Sequence, residues 1–403
     1  MGCAPSRPSA SSPVSVPPDP GPPDLPLDIY SEVLGHLSPS LSEDRKTLRA
    51  LALCCRALRG ESQRILFRSL HRDANEIVMN PMGQARALDT HIKFLHAVEA
   101  SPGRLARYVV SYAQRALGLD PALWGTERAR NLAHKNRRVH LWILTERVLP
   151  LMVNLKNLYF SALVDHPSAP MIFRNCTFEL ESFTWVGIDG VEALYSRLLP
   201  TQHRLLHLNI DCTSDTLPHG LCPSLMSIAC PLSELVRIAA GRAITALRVT
   251  ESSAYSKPMP RAELMTTAER KAYIAALAKI RYLRLWALPE FQKSTMGITF
   301  HSVTMLEVRD WGSEILSDTW LLTSFPALRS LRLWENWSVL HAAYRRRVAA
   351  WAFPQFPMLE EVLLVIDRYV STKVWRLLPP RGSELDEEMG EIDHNVALVW
   401  WRM

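Results

Sequence analysis

A short pattern of apolar residues recurs through most of this chain and limits the folds that it can adopt. When the first apolar residue of a match is numbered 0, positions 3 and 5 are also apolar, and eight matches begin 25, 25, 39, 36, 23, 25 and 31 residues apart. They are Leu155/Leu158/Phe160, Leu180/Phe183/Trp185, Leu205/Leu208/Ile210, Ile244/Leu247/Val249, Ile280/Leu283/Leu285, Val303/Leu306/Val308, Leu328/Leu331/Leu333 and Leu359/Val362/Leu364. An earlier match, Leu105/Tyr108/Val110, begins 50 residues before the first, which is two periods. Units of this length bury their apolar edges on their neighbours, so the pattern predicts one repeat array over residues 104–380.

Helical signals precede several of these segments. Thr266 and Glu269 form a capping box ahead of an apolar helical pattern. The stretch from Val339 to Trp351 also has helical spacing, and it precedes the match at Leu359. Strands that alternate with helices in this way stack into a parallel sheet with a helical layer. The predicted fold class is therefore α/β, with the array as an irregular solenoid.

The first 103 residues lack this repeat and divide into three parts. Residues 1–23 contain eight prolines and five serines with almost no bulky apolar side chain, which predicts a disordered leader. Residues 24–70 carry three apolar groups at helical spacing, so we expect a three-helix module there. A module of about 45 residues is near the lower limit for independent stability. Residues 71–103 are expected to form a helical connector to the array.

The predicted three-helix module carries a specific combination of motifs. They are Leu25-Pro26-Leu27-Asp28-Ile29, Val33-Leu34, Leu37, Leu48, Leu51, Cys55-Arg56 and Leu66-Phe67. This combination resembles an F-box, whose pattern is L-P-x-[DE]-I, an apolar pair, and a later helix that ends in C-R. Leu58 departs from the family, in which many members carry Trp at that place. Residues 44–48 and 65–68 also resemble F-box proteins of mushroom-forming fungi, in which a degenerate leucine-rich array often follows.

The resemblance implies that these helices bind a Skp-family adaptor, which connects the chain to a cullin and RING ubiquitin ligase. The adaptor-binding residues that it implies are Leu25, Pro26, Ile29, Val33, Leu34, Leu37, Leu48, Leu51 and Cys55. The sequence supports this role independently, because an exposed apolar cluster on a marginally stable module is costly unless a partner covers it. The alternative is that Leu25, Pro26 and Ile29 pack on the first repeat of the array.

The array itself resembles leucine-rich repeats. Four of its intervals fall within the roughly 20 to 29 residues that are typical of that family. The family usually places Asn eight residues after the first leucine, whereas in this chain only Asn336 occupies such a position. The resemblance therefore implies a solenoid whose asparagine ladder is largely missing, and we expect its geometry to be irregular.

Composition and motifs argue against several other functional classes. The net charge is +6, and residues 381–403 hold six acidic and two basic residues, so the rest of the chain carries +10. This mild excess does not indicate nucleic acid by itself, and the basic runs at 128–138 and 345–347 are interpreted as solvated helix faces. We expect residues 381–403 to form an acidic tail. The chain contains no P-loop, nucleophile elbow, zinc-protease or dinucleotide motif, so no catalytic residue and no cofactor is predicted.

The cysteines and histidines give a weak signal. Seven scattered cysteines without a C-x-x-C pair are typical of a reducing compartment, so we expect the cytoplasm or the nucleus. The densest group of potential metal ligands is His207, Cys212, His219, Cys222 and Cys230. Its spacing matches no standard zinc site, and no metal is predicted.

The N-terminus carries a candidate lipidation site. Residues 1–6 match the myristoylation pattern, in which Gly2 becomes the acylated terminus. The adjacent Cys3 is a candidate for the second lipid that stable anchoring requires. No apolar run is long enough to span a membrane. Membrane association is therefore expected only if Gly2 is acylated.

Together these features predict a substrate-receptor subunit that performs no catalysis. The F-box-like helices would hold the adaptor, and the repeat array would hold a protein target whose identity the sequence does not specify. The alternative is an interaction scaffold that uses the same array without binding a ligase.

Overall fold

A computed structural model provides the architecture of the chain. It describes residues 26–39, 42–54, 56–70, 81–114, 128–161, 172–186, 194–210, 217–218, 220–250, 266–295, 297–310, 320–335, 342–367, 372–381 and 384–392. The predicted leader with Gly2 and Cys3 lies outside these residues, and so do Leu25, Cys55 and residues 393–403 of the predicted tail.

The described residues contain eleven α-helices. They are α1 (Leu27–Gly35), α2 (Ser42–Cys54), α3 (Arg56–Arg68), α4 (Pro81–Ala100), α5 (Leu105–Tyr108), α6 (Arg128–Val148), α7 (Leu235–Ala239), α8 (Thr267–Leu277), α9 (Leu288–Ser294), α10 (Trp320–Ser324) and α11 (Ala342–Gln355). Short 3-10 turns occupy Leu149–Leu151, Leu199–Thr201 and Leu232–Glu234, and a single π turn occupies Leu194–Leu198. The predicted connector contains α4, a helix of 20 residues.

Thirteen strands form one sheet in which every strand lies beside its successor in the chain. They are β1 (Ser69–Leu70), β2 (Ser111–Gln114), β3 (Asn157–Ser161), β4 (Ser182–Val186), β5 (His207–Ile210), β6 (Ser227–Cys230), β7 (Ala246–Val249), β8 (Tyr282–Ala287), β9 (Met305–Asp310), β10 (Ser330–Glu335), β11 (Glu361–Asp367), β12 (Thr372–Arg381) and β13 (Glu384–Ile392). Strands β1 to β11 are parallel, whereas β12 and β13 are antiparallel to their neighbours. The predicted α/β class with a mostly parallel sheet is therefore confirmed.

The apolar pattern at positions 0, 3 and 5 corresponds to a strand in eight of its nine matches. In all eight matches from Leu155 onward, a strand begins two residues after position 0. All the side chains at these positions are buried in one continuous core, which also receives residues from α4, α6, α8 and α11. The side chain at position 4 points to the opposite face of the sheet, because successive side chains of a strand alternate between the two faces.

Three sequence expectations need correction. The match at Leu105/Tyr108/Val110 lies mostly in α5, and the strand that pairs with β3 begins at Ser111. Its true register has Gln114 at position 5, where Tyr112 and Thr145 donate hydrogen bonds to Gln114 Oε1 over 3.0 and 3.2 Å. A hydrogen-bonded glutamine thus takes the place of an apolar residue at position 5. The apolar pattern therefore matched the earlier residues Leu105, Tyr108 and Val110 instead.

The other two corrections concern a missed strand and the acidic tail. The apolar pattern found no match in the 39 residues between Leu205 and Ile244, but the structure has the additional strand β6 there. Leu225 occupies position 0 of that repeat and Cys230 occupies position 5, both fully buried. Residues 384–392 of the predicted tail form β13, which pairs with β12 and is the last strand of the sheet.

A repeated backbone contact stabilises the parallel stack. At nine successive junctions, one carbonyl oxygen just before a strand accepts hydrogen bonds from two consecutive N–H groups of the next repeat, over 2.7 to 3.2 Å. The acceptors are Val110, Lys156, Glu181, Leu206, Met226, Thr245, Arg281, Thr304 and Arg329. Since backbone atoms make these bonds, the register between repeats does not depend on an asparagine ladder.

Candidate partner-binding surfaces

Helices α1, α2 and α3 share a small apolar core. Leu34 of α1, Leu48 of α2 and Ile65 of α3 are buried against one another. Half-buried leucines pack around these three side chains: Leu37, Leu51, Leu58 and Leu66. Leu58, at the place where many F-boxes carry Trp, therefore fills space beside this core.

A different side of α1 carries apolar side chains that remain exposed. Pro26 precedes the helix and is exposed. Ile29 and Val33 lie one helical turn apart and are 41% and 60% exposed. We call Pro26, Ile29 and Val33 the α1 face. Burial against the first repeat of the array, the alternative interpretation of Pro26 and Ile29, would leave much less of these side chains exposed.

The residues implied as an adaptor site thus divide into two groups in the structure. Pro26, Ile29 and Val33 are exposed and available for contact. The leucines at 34 and 48 are core residues, and those at 37 and 51 are half-buried beside them. Leu25 and Cys55 lie outside the described residues. The sequence did not single out Leu53 of α2, whose side chain is 81% exposed.

Two hydrogen bonds fix the turn between α1 and α2. The backbone N–H of Ser38 donates to Asp44 Oδ2 over 2.8 Å, and Arg45 Nε donates to the carbonyl of Pro39 over 2.8 Å. Asp44 lies in the first turn of α2, where a carboxylate also interacts favourably with the helix dipole. Asp44 and Arg45, part of the sequence resemblance, therefore hold α1 in place relative to α2.

The three-helix module is joined to the array without a flexible break at α3. The chain passes directly from α3 into β1, which pairs with β2 in the sheet. The Val110 N–H donates to the carbonyl of Arg68 over 2.8 Å. Phe67 of α3 stacks on Phe94 of α4 with ring centroids 5.4 Å apart. The α1 face is consequently presented in a fixed orientation relative to the array.

A second unusual surface lies on strands β7 to β10, on the side of the sheet opposite the main core. We call it the arginine face, and its side chains are Arg248, Arg284, Trp286, Glu307, Arg309, Arg332 and Trp334. Arg248 pairs in register with Arg284, Arg284 with Glu307, and Glu307 with Arg332. The equivalent positions on earlier strands are Tyr159, Thr184, Asn209 and Ala229. At these equivalent positions the described strands β3 to β6 carry no charged side chain, and the charged side chains begin at β7.

Glu307 is the centre of a buried ion-pair group. Its carboxylate lies 2.9 Å from Arg284 Nε and 3.6 Å from Arg332 Nη1, and all three side chains are at most 2% exposed. Burial lowers the pKa of Arg284 well below its ordinary value, and the neighbouring arginines Arg248, Arg309 and Arg332 lower it further, whereas Glu307 raises it. One carboxylate thus faces several guanidinium groups.

Aromatic rings flank the next arginine along β9. The Arg309 guanidinium carbon lies 4.4 Å from the ring centroid of Trp334 and 5.3 Å from that of Trp286. Cation–π contacts of this kind favour a charged guanidinium in a half-buried position. Trp334 is buried, but Trp286 is 42% exposed and lies at the edge of the group.

This surface could not be recognised from the apolar pattern, because the pattern contains only the buried positions. Position 4 of four successive matches is occupied by Arg248, Arg284, Glu307 and Arg332. Aligning the repeats at this position shows the charges in the sequence. The basic runs lie on different helices, and two of their described arginines have partners within the chain. Arg137 of α6 pairs with Asp89 over 3.0 Å, and Arg345 of α11 stacks on the Trp375 ring at 3.7 Å.

The weak metal candidates do not assemble in the part of the chain that the structure describes. No group of three His, Cys, Asp or Glu side chains there is close enough to hold a metal ion. Cys222 is buried, which raises the pKa of its thiol to about 11. Cys212 and His219 lie outside the described residues. Among the described helices, none has both the length and the apolar content that crossing a membrane requires.

Comparison with models of known protein families and with curated proteins gives no match to this sequence. The F-box and leucine-rich-repeat resemblances therefore rest on the residues and spacings of the chain itself.

Proposed function

We propose that this chain is a substrate-receptor subunit of a Skp/cullin/F-box-type ubiquitin ligase. In this proposal α1 to α3 bind the Skp-family adaptor, and the repeat array binds a protein target. The observation that carries it is the α1 face, which exposes apolar side chains in the segment that resembles an F-box. A protein partner that covers Ile29 and Val33 would remove this apolar surface from water.

The proposed mechanism is tethering, and the chain supplies no reacting group. Binding a target beside the conjugating enzyme raises its effective concentration and makes an encounter between two proteins intramolecular. The continuous connection from α3 into β1 favours this role, because it keeps the orientation between adaptor and target constant.

The decisive experiment measures binding of the purified full chain to a Skp-family adaptor. We expect the double variant Ile29→Ala, Val33→Ala to weaken binding at least about a hundredfold, since truncating a buried interface anchor often costs about 2 kcal/mol or more. Its matched control is Val139→Ala, Ile143→Ala on α6. These two side chains have the same residue types and one-turn spacing, and they are 44% and 51% exposed.

The control variant should bind the adaptor as the original chain does, and circular dichroism should be unchanged for both. If the original chain does not bind the adaptor, or if both double variants bind equally well, the ligase-receptor proposal is wrong. The interaction-scaffold alternative, in which the array acts without a ligase, would then replace it.

A further inference from the structure

A groove of about 600 Å³ lies at the edge of the sheet where β7, β8 and β9 begin. Its polar side chains belong to Arg242, Thr245, Lys279, Arg281 and Ser302, and no acidic residue is among the described residues that line it. We call it the β7–β9 groove. Sites for small ligands have volumes of roughly 300–1,000 Å³, so the groove has room for a ligand. The charges that line it determine which kind of ligand it can bind.

Arg281 is an exposed cation without an acidic neighbour in the stack of repeats. It occupies position 1 of its repeat, directly after the first apolar residue. At the same position of two earlier repeats, Lys156 pairs with Glu181 over 2.7 Å. The residues on either side of Arg281 are instead Thr245 and Thr304. Within the described chain, the Arg281 guanidinium makes no hydrogen bond or ion pair.

Lys279 has a similar environment one residue before the first apolar position of the same repeat. At that position in two earlier repeats, Arg204 lies 4.0 Å from Glu179. The corresponding neighbours of Lys279 are Ala243 and Ser302, whose short side chains leave space beside the lysine and line the groove. The Lys279 ammonium has no partner among the residues that the structure describes. Two unpaired cations therefore line one cavity.

Arg242 adds a third positive charge at the wall of the groove. Its side chain is buried, and its guanidinium donates hydrogen bonds to the backbone carbonyls of Pro218, Leu221 and Ile238 over 2.6 to 3.1 Å. Carbonyl oxygens satisfy the N–H groups but carry no net charge, and a guanidinium stays protonated in proteins. Arg242 is therefore fixed in place and contributes charge to the groove without contacting a ligand.

We propose that the β7–β9 groove binds a phosphate group, carried either by a small molecule or by a phosphorylated side chain. Lys279 and Arg281 contact its oxygens, and the hydroxyls of Thr245 and Ser302, which have no partner in the described chain, donate to it. A phosphate monoester carries about −1.5 to −2 charges and three strong acceptor oxygens, so it suits several cations and donors better than a carboxylate does. This binding does not depend on the proposed ligase function.

The surroundings of the groove favour a single anionic group over a nucleic-acid strand. Nucleic acids bind through a series of phosphates along a continuous basic surface. Along this edge of the array, Lys156, Arg204 and Arg329 each lie beside a carboxylate of an adjacent repeat. Positive charge without a counter-charge is thus concentrated at the groove.

The test titrates inorganic phosphate against the purified full chain at constant ionic strength and follows the phosphorus NMR line width. We expect saturable binding with a dissociation constant on the order of 1 mM. Lys279→Gln and Arg281→Gln should each weaken it roughly tenfold, which corresponds to about 1.4 kcal/mol. The matched controls are Lys271→Gln on α8 and Arg346→Gln on α11, which replace exposed cations outside the groove and should bind phosphate as the original chain does. Circular dichroism should be unchanged for all four variants.

A second set of ligands identifies the source of the phosphate. A short alanine peptide with one phosphoserine should bind, and its unphosphorylated form should not. Tighter binding of the phosphopeptide than of inorganic phosphate would support a protein segment as the source, and equal or weaker binding would support a small molecule.

Three results would overturn the proposal: absence of saturable phosphate binding, equal weakening by the control variants, or binding of acetate as tight as that of phosphate. The Skp-adaptor assay, run on Lys279→Gln and Arg281→Gln, should be unaffected. Failure of the phosphate site and failure of the ligase-receptor proposal are therefore distinguishable.

Discussion

The three-helix module and the repeat array bury their apolar side chains in different ways. The module depends on a separate core in which Leu34, Leu48 and Ile65 are the fully enclosed residues. The array has a main core that continues from α4 to β12, and a smaller cluster of Trp334, Leu363, Val365 and Val374 lies apart from it. Stacked repeats gain stability from each neighbour. The module has no such reserve, so its local stability should depend on very few side chains.

The surfaces of the two regions differ as well. The module exposes apolar side chains at Ile29 and Val33, whereas β7 to β10 of the array present arginines around Glu307. Apolar burial and charge pairing select different partners, since one is non-directional and the other depends on complementary charge. The two regions therefore differ in the chemistry of their surfaces as well as in their cores, and the following predictions test how each region is stabilised.

The largest effect is expected from Glu307→Gln in the array. The substitution removes the carboxylate that faces the buried guanidinium groups of Arg284 and Arg332, and breaking a buried pair typically costs about 3–5 kcal/mol. The measurement is urea unfolding of both variants. The matched control is Glu360→Gln, which removes an exposed pair with Arg329 at the same 2.9 Å distance. Exposed pairs contribute about 0–1 kcal/mol. Similar losses in the two variants would show that the array does not depend on its buried charges.

A smaller but more localised effect is expected from Leu48→Ala in the module. Removing this fully buried side chain should cost about 2–5 kcal/mol, which is large for a core of three residues. Hydrogen exchange should show lost protection in α1 to α3, while β3 to β10 keep theirs. Leu331→Ala, with the same residue type and burial in the array, should leave α1 to α3 protected. Uniform loss of protection in both variants would mean that the two regions unfold as one unit.

The smallest effect is expected from Leu53→Gln on α2. Its side chain is largely exposed, and surface substitutions of this kind usually change stability by less than about 0.5 kcal/mol. Thermal unfolding should therefore give the same midpoint as the original chain. A large destabilisation would show that Leu53 contributes to the core of the three-helix module and is not a surface residue.

The sequence pattern was sufficient to predict most strands of the array, but not all of them. Leu158, Phe183 and Leu208 recur at intervals of 25 residues, which is typical of strands in a stacked repeat, so the strands and the buried face could be predicted. Gln114 broke the pattern, because a hydrogen-bonded polar side chain took an apolar position. Cys230 did so as well, since the template did not count it as part of a repeat. The pairing of β13 with β12 could not be inferred from an acidic composition.

By itself, the sequence determined the repeat, the α/β class and the apolar set at the start of α1, since burial follows from local periodicity. Only the tertiary structure decided which of those α1 side chains stay exposed and which arginines meet. Arg248, Arg284 and Arg332 are separated by segments of unequal length, and they become neighbours through the register of adjacent strands. Backbone hydrogen bonds between repeats set that register, and they leave no signature in the side-chain sequence.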